Sequence, residues 1–152
     1  MVQPKVQAIL VADHIYIDKN TNKKIIAGIF DRMYLIPPPA GQEVSAEDGK
    51  IKINIPPGGH RASSPFCYIN LIDIRKQEHF ELRYVDLEDD RVVFGTNFNI
   101  NADNPLQSVE IVIPLPLLPA EKAGVFALEL IWNDISIGSH RIIVETITPS
   151  QD

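Results

Sequence analysis

Apolar side chains in this chain recur mostly at every second position or in short unbroken runs, and almost never at the three-and-four spacing of a helix. No segment of a dozen or more residues pairs helical spacing with caps, so little or no helix is expected. Residues 5 to 17 and 25 to 36 are rich in Val, Ile and Tyr on both faces, the pattern of strands inside a sheet. Three consecutive prolines at 37 to 39 end the second run. From Pro65 the pattern predicts a meander: strands at 66 to 74, 80 to 87, 91 to 100 and 108 to 115, separated by the polar turns "RKQE", "EDD" and "NADNP". In the second of these, Phe80, Leu82 and Tyr84 alternate with Glu81 and Arg83, a half-buried strand. The stretch 124 to 146 predicts a hairpin turning at Asn133-Asp134, with Trp132 in the core and a β-bulge where the apolar phase slips near Gly138-Ser139.

Roughly seven to nine such strands without a crossover helix predict an all-β fold. Its expected form is an antiparallel two-layer β-sandwich of immunoglobulin-like or C2-like type, with a closed barrel as the alternative. One domain spanning 1 to 152 suffices, because a chain of this length hides about 70% of its unfolded surface on folding. Residues 40 to 64, bracketed by Pro/Gly clusters, are expected to form a long flexible loop carrying a short edge strand at 50 to 55. "PAEKAG" at 119 to 124 holds at most one turn of helix.

Composition narrows the function. An apolar share of 45% and a charged share of 22% are those of a soluble globular chain, and a net charge of -6 without a basic cluster argues against nucleic acid. Cys67 is the only cysteine, so no intrachain disulfide forms and a reducing compartment, the cytoplasm, is expected. The first 18 residues are too short and too polar in their apolar run for a signal or spanning segment, and no later stretch spans a membrane.

Candidate chemistry is sparse. Asp18, Asn20 and Asn22 open like a calcium loop, but Lys23 and Ile29 stand where an EF-hand needs Gly and a bidentate Glu, so "DKNTNK" reads as a strand-joining turn. Asp86, Glu88, Asp89 and Asp90 read as a solvated hairpin tip. The alternative is a calcium rim, which would need a second acidic loop beside it, residues 101 to 104 being the nearest candidate. His14, His60, His79 and His140 share no element face that would hold zinc. Cys67 lies in an apolar strand, there is no G-x-S-x-G, and the loop pairing of His60 with Ser63 and Ser64 reads as solvation. Asp13 interrupts an apolar strand and must find donors, with Asp31-Arg32 on the neighbouring strand the expected polar partners fixing register. No catalytic residue, cofactor or metal is assigned.

The segments "AILVADHIYIDKNTNKKIIAGIFDRM" and "AEKAGVFALELIWNDISIG" carry a resemblance. They look like a family of uncharacterised bacterial β-rich proteins that begin with A-L-L-x-D, a short turn and G-x-F-D, and close with a P-G-x-Y-x-F-x-L-like hairpin. Ala123 and Phe126 stand where that pattern has Pro and Tyr. The resemblance implies a β-rich domain without assigned activity. Taken together, the sequence predicts a non-enzymatic interaction or assembly module whose strand edges accept a protein partner or a second copy. A calcium- or carbohydrate-binding sandwich is the alternative, and a small hydrolase the third reading.

Overall fold

A computed structural model describes residues 2–35, 64–119 and 122–147. Among them it is all-β, without a helix: β1 (Lys5–Ile17), β2 (Lys24–Ile29), β3 (Arg32–Leu35), β4 (Phe66–Ile72), β5 (Lys76–Asp86), β6 (Arg91–Ala102), β7 (Val109–Pro114), β8 (Gly124–Trp132) and β9 (Ile135–Thr146). Four strands form one sheet in the order β2-β1-β4-β7, and five form a second in the order β3-β9-β8-β5-β6. Of the 40 to 64 segment only Ser64 is described, and it is exposed; the edge strand expected at 50 to 55, with His60 and Ser63, lies outside the described residues.

Three expectations are corrected. The run 25 to 36 is two strands in different sheets, because the chain crosses over at Phe30-Asp31. There the Phe30 amide donates to the Val11 carbonyl (3.2 Å) in the first sheet, and the Asp31 carbonyl accepts from the Ile143 amide (2.8 Å) in the second, so the crossing leaves both groups satisfied. Because β3 enters from this crossing it runs parallel to β9, and the pairing is not antiparallel throughout. Nor is 66 to 115 a meander: β4 and β7 pair in the first sheet, and only β5 and β6 form a hairpin, in the second. The link from β4 to β5 spans Asp73 to Arg75, bounded by left-handed Asp73 (φ 59) and Lys76 (φ 61) and pinned by fully buried Ile74.

Alternation in the strands builds one core from both sheets. Val11, Cys67, Ile69 and Leu71 come from the first, while Phe80, Leu82, Tyr84, Leu128, Leu130 and Ile142 come from the second, and all join one cluster. Each such side chain contributes roughly 1.5–3 kcal/mol by leaving water. The five-stranded sheet curls into a half-barrel, and it carries register shifts at Tyr84/Val85 and Leu130/Ile131. The second shift leaves Ile137 as the extra residue, one position from the expected slip. Beside it, a Cβ on Gly138 would stand 2.9 Å from Cγ2 of Val6, so β9 approaches β1 there as only a glycine allows. Asn133 (φ 49) and Asp134 (φ 63) supply the mirror-image turn that the hairpin requires. Trp132 is 6% exposed, and its indole N–H donates to Glu78 Oε2 at 2.9 Å.

Candidate functional site

The first hairpin is built by its turn. Asp18 Oδ1 accepts from the amides of Asn20 (2.8 Å) and Thr21 (3.2 Å), and Asn22 takes a left-handed φ of 57. Those oxygens serve the turn, as Asp and Asn side chains do in tight reversals. Beyond it, β2 pairs with β1 from Ile17↔Lys24 to Ala12↔Ile29, which sets Asp13 opposite Gly28. Gly28 has φ +74, and a Cβ there would lie 2.7 Å from Asp13 Oδ2. A left-handed residue within a strand kinks it, and only glycine fits against this carboxylate.

In a flat sheet β2 and β7, at opposite edges of the four strands, would be about 14 Å apart. Yet Lys24 Nζ lies 3.3 Å from Glu110 Oε1 on β7. Lys24 thus ties one edge strand of the sheet to the other, at a group on the face opposite Cys67, Ile69 and Leu71. There Tyr68 O–H donates to Glu110 Oε2 at 2.5 Å, and Asn70 Nδ2 donates to the Tyr68 hydroxyl at 3.3 Å. The Tyr68 bond, aided by Lys24 and opposed by burial, holds the Glu110 carboxyl below its usual range. Burial and the neighbouring Glu110 push the Tyr68 hydroxyl up. No spacing in the sequence announces this group; outward parity on β4 and β7 marks Tyr68, Asn70 and Glu110, but nothing local marks Lys24 as their partner.

The two faces of the hairpin differ in exposure. Ile15 and Ile26 share the face of Lys24 and are half-buried, while Tyr16 (53% exposed) and its cross-strand partner Ile25 (52%) look away. His14 stacks on Tyr16 with ring centroids 5.8 Å apart, and Ile29 is also more than half exposed. Among the described residues β2 has no neighbour but β1, so its outer backbone row is unpaired. Chemically this is an apolar strip beside a row of amide and carbonyl groups.

The remaining candidates fall elsewhere. Arg32 is paired with Glu145 across β3 and β9, Asp31 meets β9 through its carbonyl, and Asp13 stands on β1 in the first sheet. Asp86 corrects the solvated-tip reading: its side chain is fully buried. Its Oδ1 accepts from the Glu88 amide at 3.1 Å, and its Oδ2 faces Lys122 Nζ at 3.3 Å and Arg91 at 3.9 Å. Burial works against this charge, but the Glu88 amide, Lys122 and Arg91 outweigh it and hold the carboxyl below its usual range. Lys122 also reaches Asp89 at 3.1 Å. Residues 101 to 104 lie at the other end of the β5–β6 hairpin, since Ala102 pairs with Lys76 and Arg91 with Asp86; ten residues of strand separate the two acidic stretches by on the order of 30 Å. His79 bonds Asn99 at 2.8 Å, and His140 Nε2 lies 2.7 Å from the Phe30 carbonyl at the sheet crossing. Cys67 is buried, and burial pushes its thiol up to about 12. Among the described residues no three His, Cys, Asp or Glu side chains are grouped to hold a metal ion, and no helix is long and apolar enough to cross a membrane.

Comparison with family models and with curated proteins finds no match to this chain.

Proposed function

We propose that this protein is a non-catalytic binding module that takes a protein segment along the β1–β2 hairpin, by adding a strand to the open edge of β2. The observation that carries the reading is the pairing of Tyr16 with Ile25 on the outward face, both more than half exposed, beside an edge strand with no second neighbour among the described residues. Backbone groups of β2 would supply affinity and the apolar strip would select the side chains of the added strand. The scaffold is read as a two-layer sandwich of immunoglobulin-like or C2-like type, with one sheet curled. The lone buried Cys67 supports a reducing compartment, the cytoplasm. The terminal hairpin patterns support a place among the uncharacterised bacterial β-rich proteins they resemble.

The test is quantitative capture from the source cell, with light scattering on the purified chain to register a second copy as the partner. Capture or self-association should be lost in Ile25→Lys and Tyr16→Ser and retained in Leu106→Ser, a control at a residue 88% exposed elsewhere. Equal binding by all variants would end the hairpin assignment.

A further inference from the structure

The open edge of β2 carries a sequence that complements itself when reversed. Ile25, Ala27 and Ile29 pair with Tyr16, His14 and Ala12 of β1, so the three share one face of the hairpin. Lys23 stands two residues before them and Asp31 two residues after. Taken from either end, the series is a charge, an isoleucine, an alanine, an isoleucine and the opposite charge. Lys23, Ile25, Ile29 and Asp31 are all exposed. The main chain is oriented to match. At the turn the Lys23 carbonyl accepts from the Asp18 amide (2.8 Å), so alternation along the ladder points the backbone groups of Ile25 and Ala27 at β1 and those of Lys24 and Ile26 outward.

Two such edges can meet antiparallel about a two-fold axis, and one register matches them along their length. With Ala27 opposite Ala27 of a second copy, Ile25 stands opposite Ile29, Lys23 opposite Asp31, and Ile26 opposite Gly28, each pairing occurring twice. The residue on the axis is small where the backbones are closest, because a pair of this non-bonded kind brings Cα atoms to about 4.5 Å. Gly28 presents no side chain to the Ile26 that faces it. Apolar and opposite-charge pairs set directly across a ladder stabilise it, whereas like charges there destabilise it. Sliding by two residues in either direction breaks both the Ile25–Ile29 and the Lys23–Asp31 pairings. Sliding by one turns the apolar strip of one copy to the opposite face of the other. An unrelated strand would have to bring this complement, and a second copy carries it already.

We propose that the partner of the β2 edge is a second copy of this chain, the two β2 strands joining antiparallel about Ala27 so that the four-stranded sheets continue into one of eight. The inference rests on the reading of that edge as strand-accepting and names what it accepts. Light scattering over a concentration series, on the full chain and on Lys23→Asp, Asp31→Lys and the double variant, tests it. The parent should dimerise. Each single reversal sets like charges opposite each other at both ends of the ladder and should weaken the dimer about tenfold or more, while the double variant exchanges the partners and should restore it. All should keep the parent's melting transition, since both side chains are exposed. Ala27→Cys should form a covalent dimer under diamide, the axial separation lying in disulfide range. Ile25→Cys should not, because the register holds its two copies about 14 Å apart. Cys67 is buried and supplies no competing thiol. A parent that stays monomeric at about 1 mM overturns the inference, yet leaves capture of a different protein by the hairpin standing. A dimer indifferent to the single reversals, a double variant that fails to recover, or cross-linking at 25 equal to that at 27 also overturns it. Equal capture by Ile25→Lys is the separate result that removes the edge itself.

Discussion

Replacing Gly28 with alanine is the sharpest probe of the hairpin geometry. Two separate costs follow from the structure. Holding a non-glycine residue at φ +74 costs about 1–2 kcal/mol. The new methyl would also meet Asp13 at Oδ2 (2.7 Å), Cβ (3.1 Å) and Cγ (3.2 Å). The oxygen can swing away, but Cβ moves only with the backbone of β1, and forced repacking of this kind costs about 1–3 kcal/mol. Together they predict a loss of about 2–5 kcal/mol, a fall in urea midpoint on the order of 1–3 M at unchanged slope. Asp13→Ala removes Oδ2 and Cγ but leaves Cβ, so the double variant should be more stable than the sum of the two single losses by about 1 kcal/mol, with the backbone cost remaining. Urea unfolding of the four proteins measures all of this. A Gly28→Ala protein within about 0.5 kcal/mol of the parent, or strictly additive losses, would refute the reasoning.

Other outcomes follow from the same geometry. Leu128→Ala, at a fully buried core position shared by both sheets, should cost about 2–5 kcal/mol in denaturant unfolding. Glu110 gains stability from a carboxyl held below its unfolded value. That contribution is complete above the unfolded carboxylate range of about 4.3 and is lost as pH falls through the folded-state value, so Glu110→Gln should flatten the acid side of the stability–pH curve. An acid limb identical to the parent's would show that the Lys24–Glu110–Tyr68 group is energetically silent. Cys67, buried and with its thiol pushed up to about 12, should resist iodoacetamide at pH 8 in the folded protein and react promptly in denaturant, as read by intact mass.

Much of the architecture was legible because strands with one buried face announce themselves. The β5 alternation of Phe80, Leu82 and Tyr84, the Asn133-Asp134 reversal and the core place of Trp132 all follow from period two and turn chemistry. What local pattern does not encode is which sheet a strand joins. Phe30-Asp31 reads as an interruption within a strand, and only long-range bonds to Val11 and Ile143 make it a crossing. The same holds for the β4–β5 link, whose polar "RKQE" looks like a hairpin turn although Ile74 is buried beneath it. Asp86 was misplaced for a related reason. An acid in an acidic run reads as solvated, and its partner Lys122 is 36 residues away in a segment with no strand signal. The exposed strip on β1 and β2 was hidden in the opposite sense, since both faces of those strands are apolar and composition cannot say which face stays outside.

Amide hydrogen exchange across β2, with and without the captured partner, tests the binding reading most directly. Strand addition predicts that the amides within 24–29 that do not bond β1 exchange fast in the free protein and become protected in the complex, while those of β6, an edge strand of the other sheet, stay unchanged. Protection confined to β6, or none at β2, would contradict it.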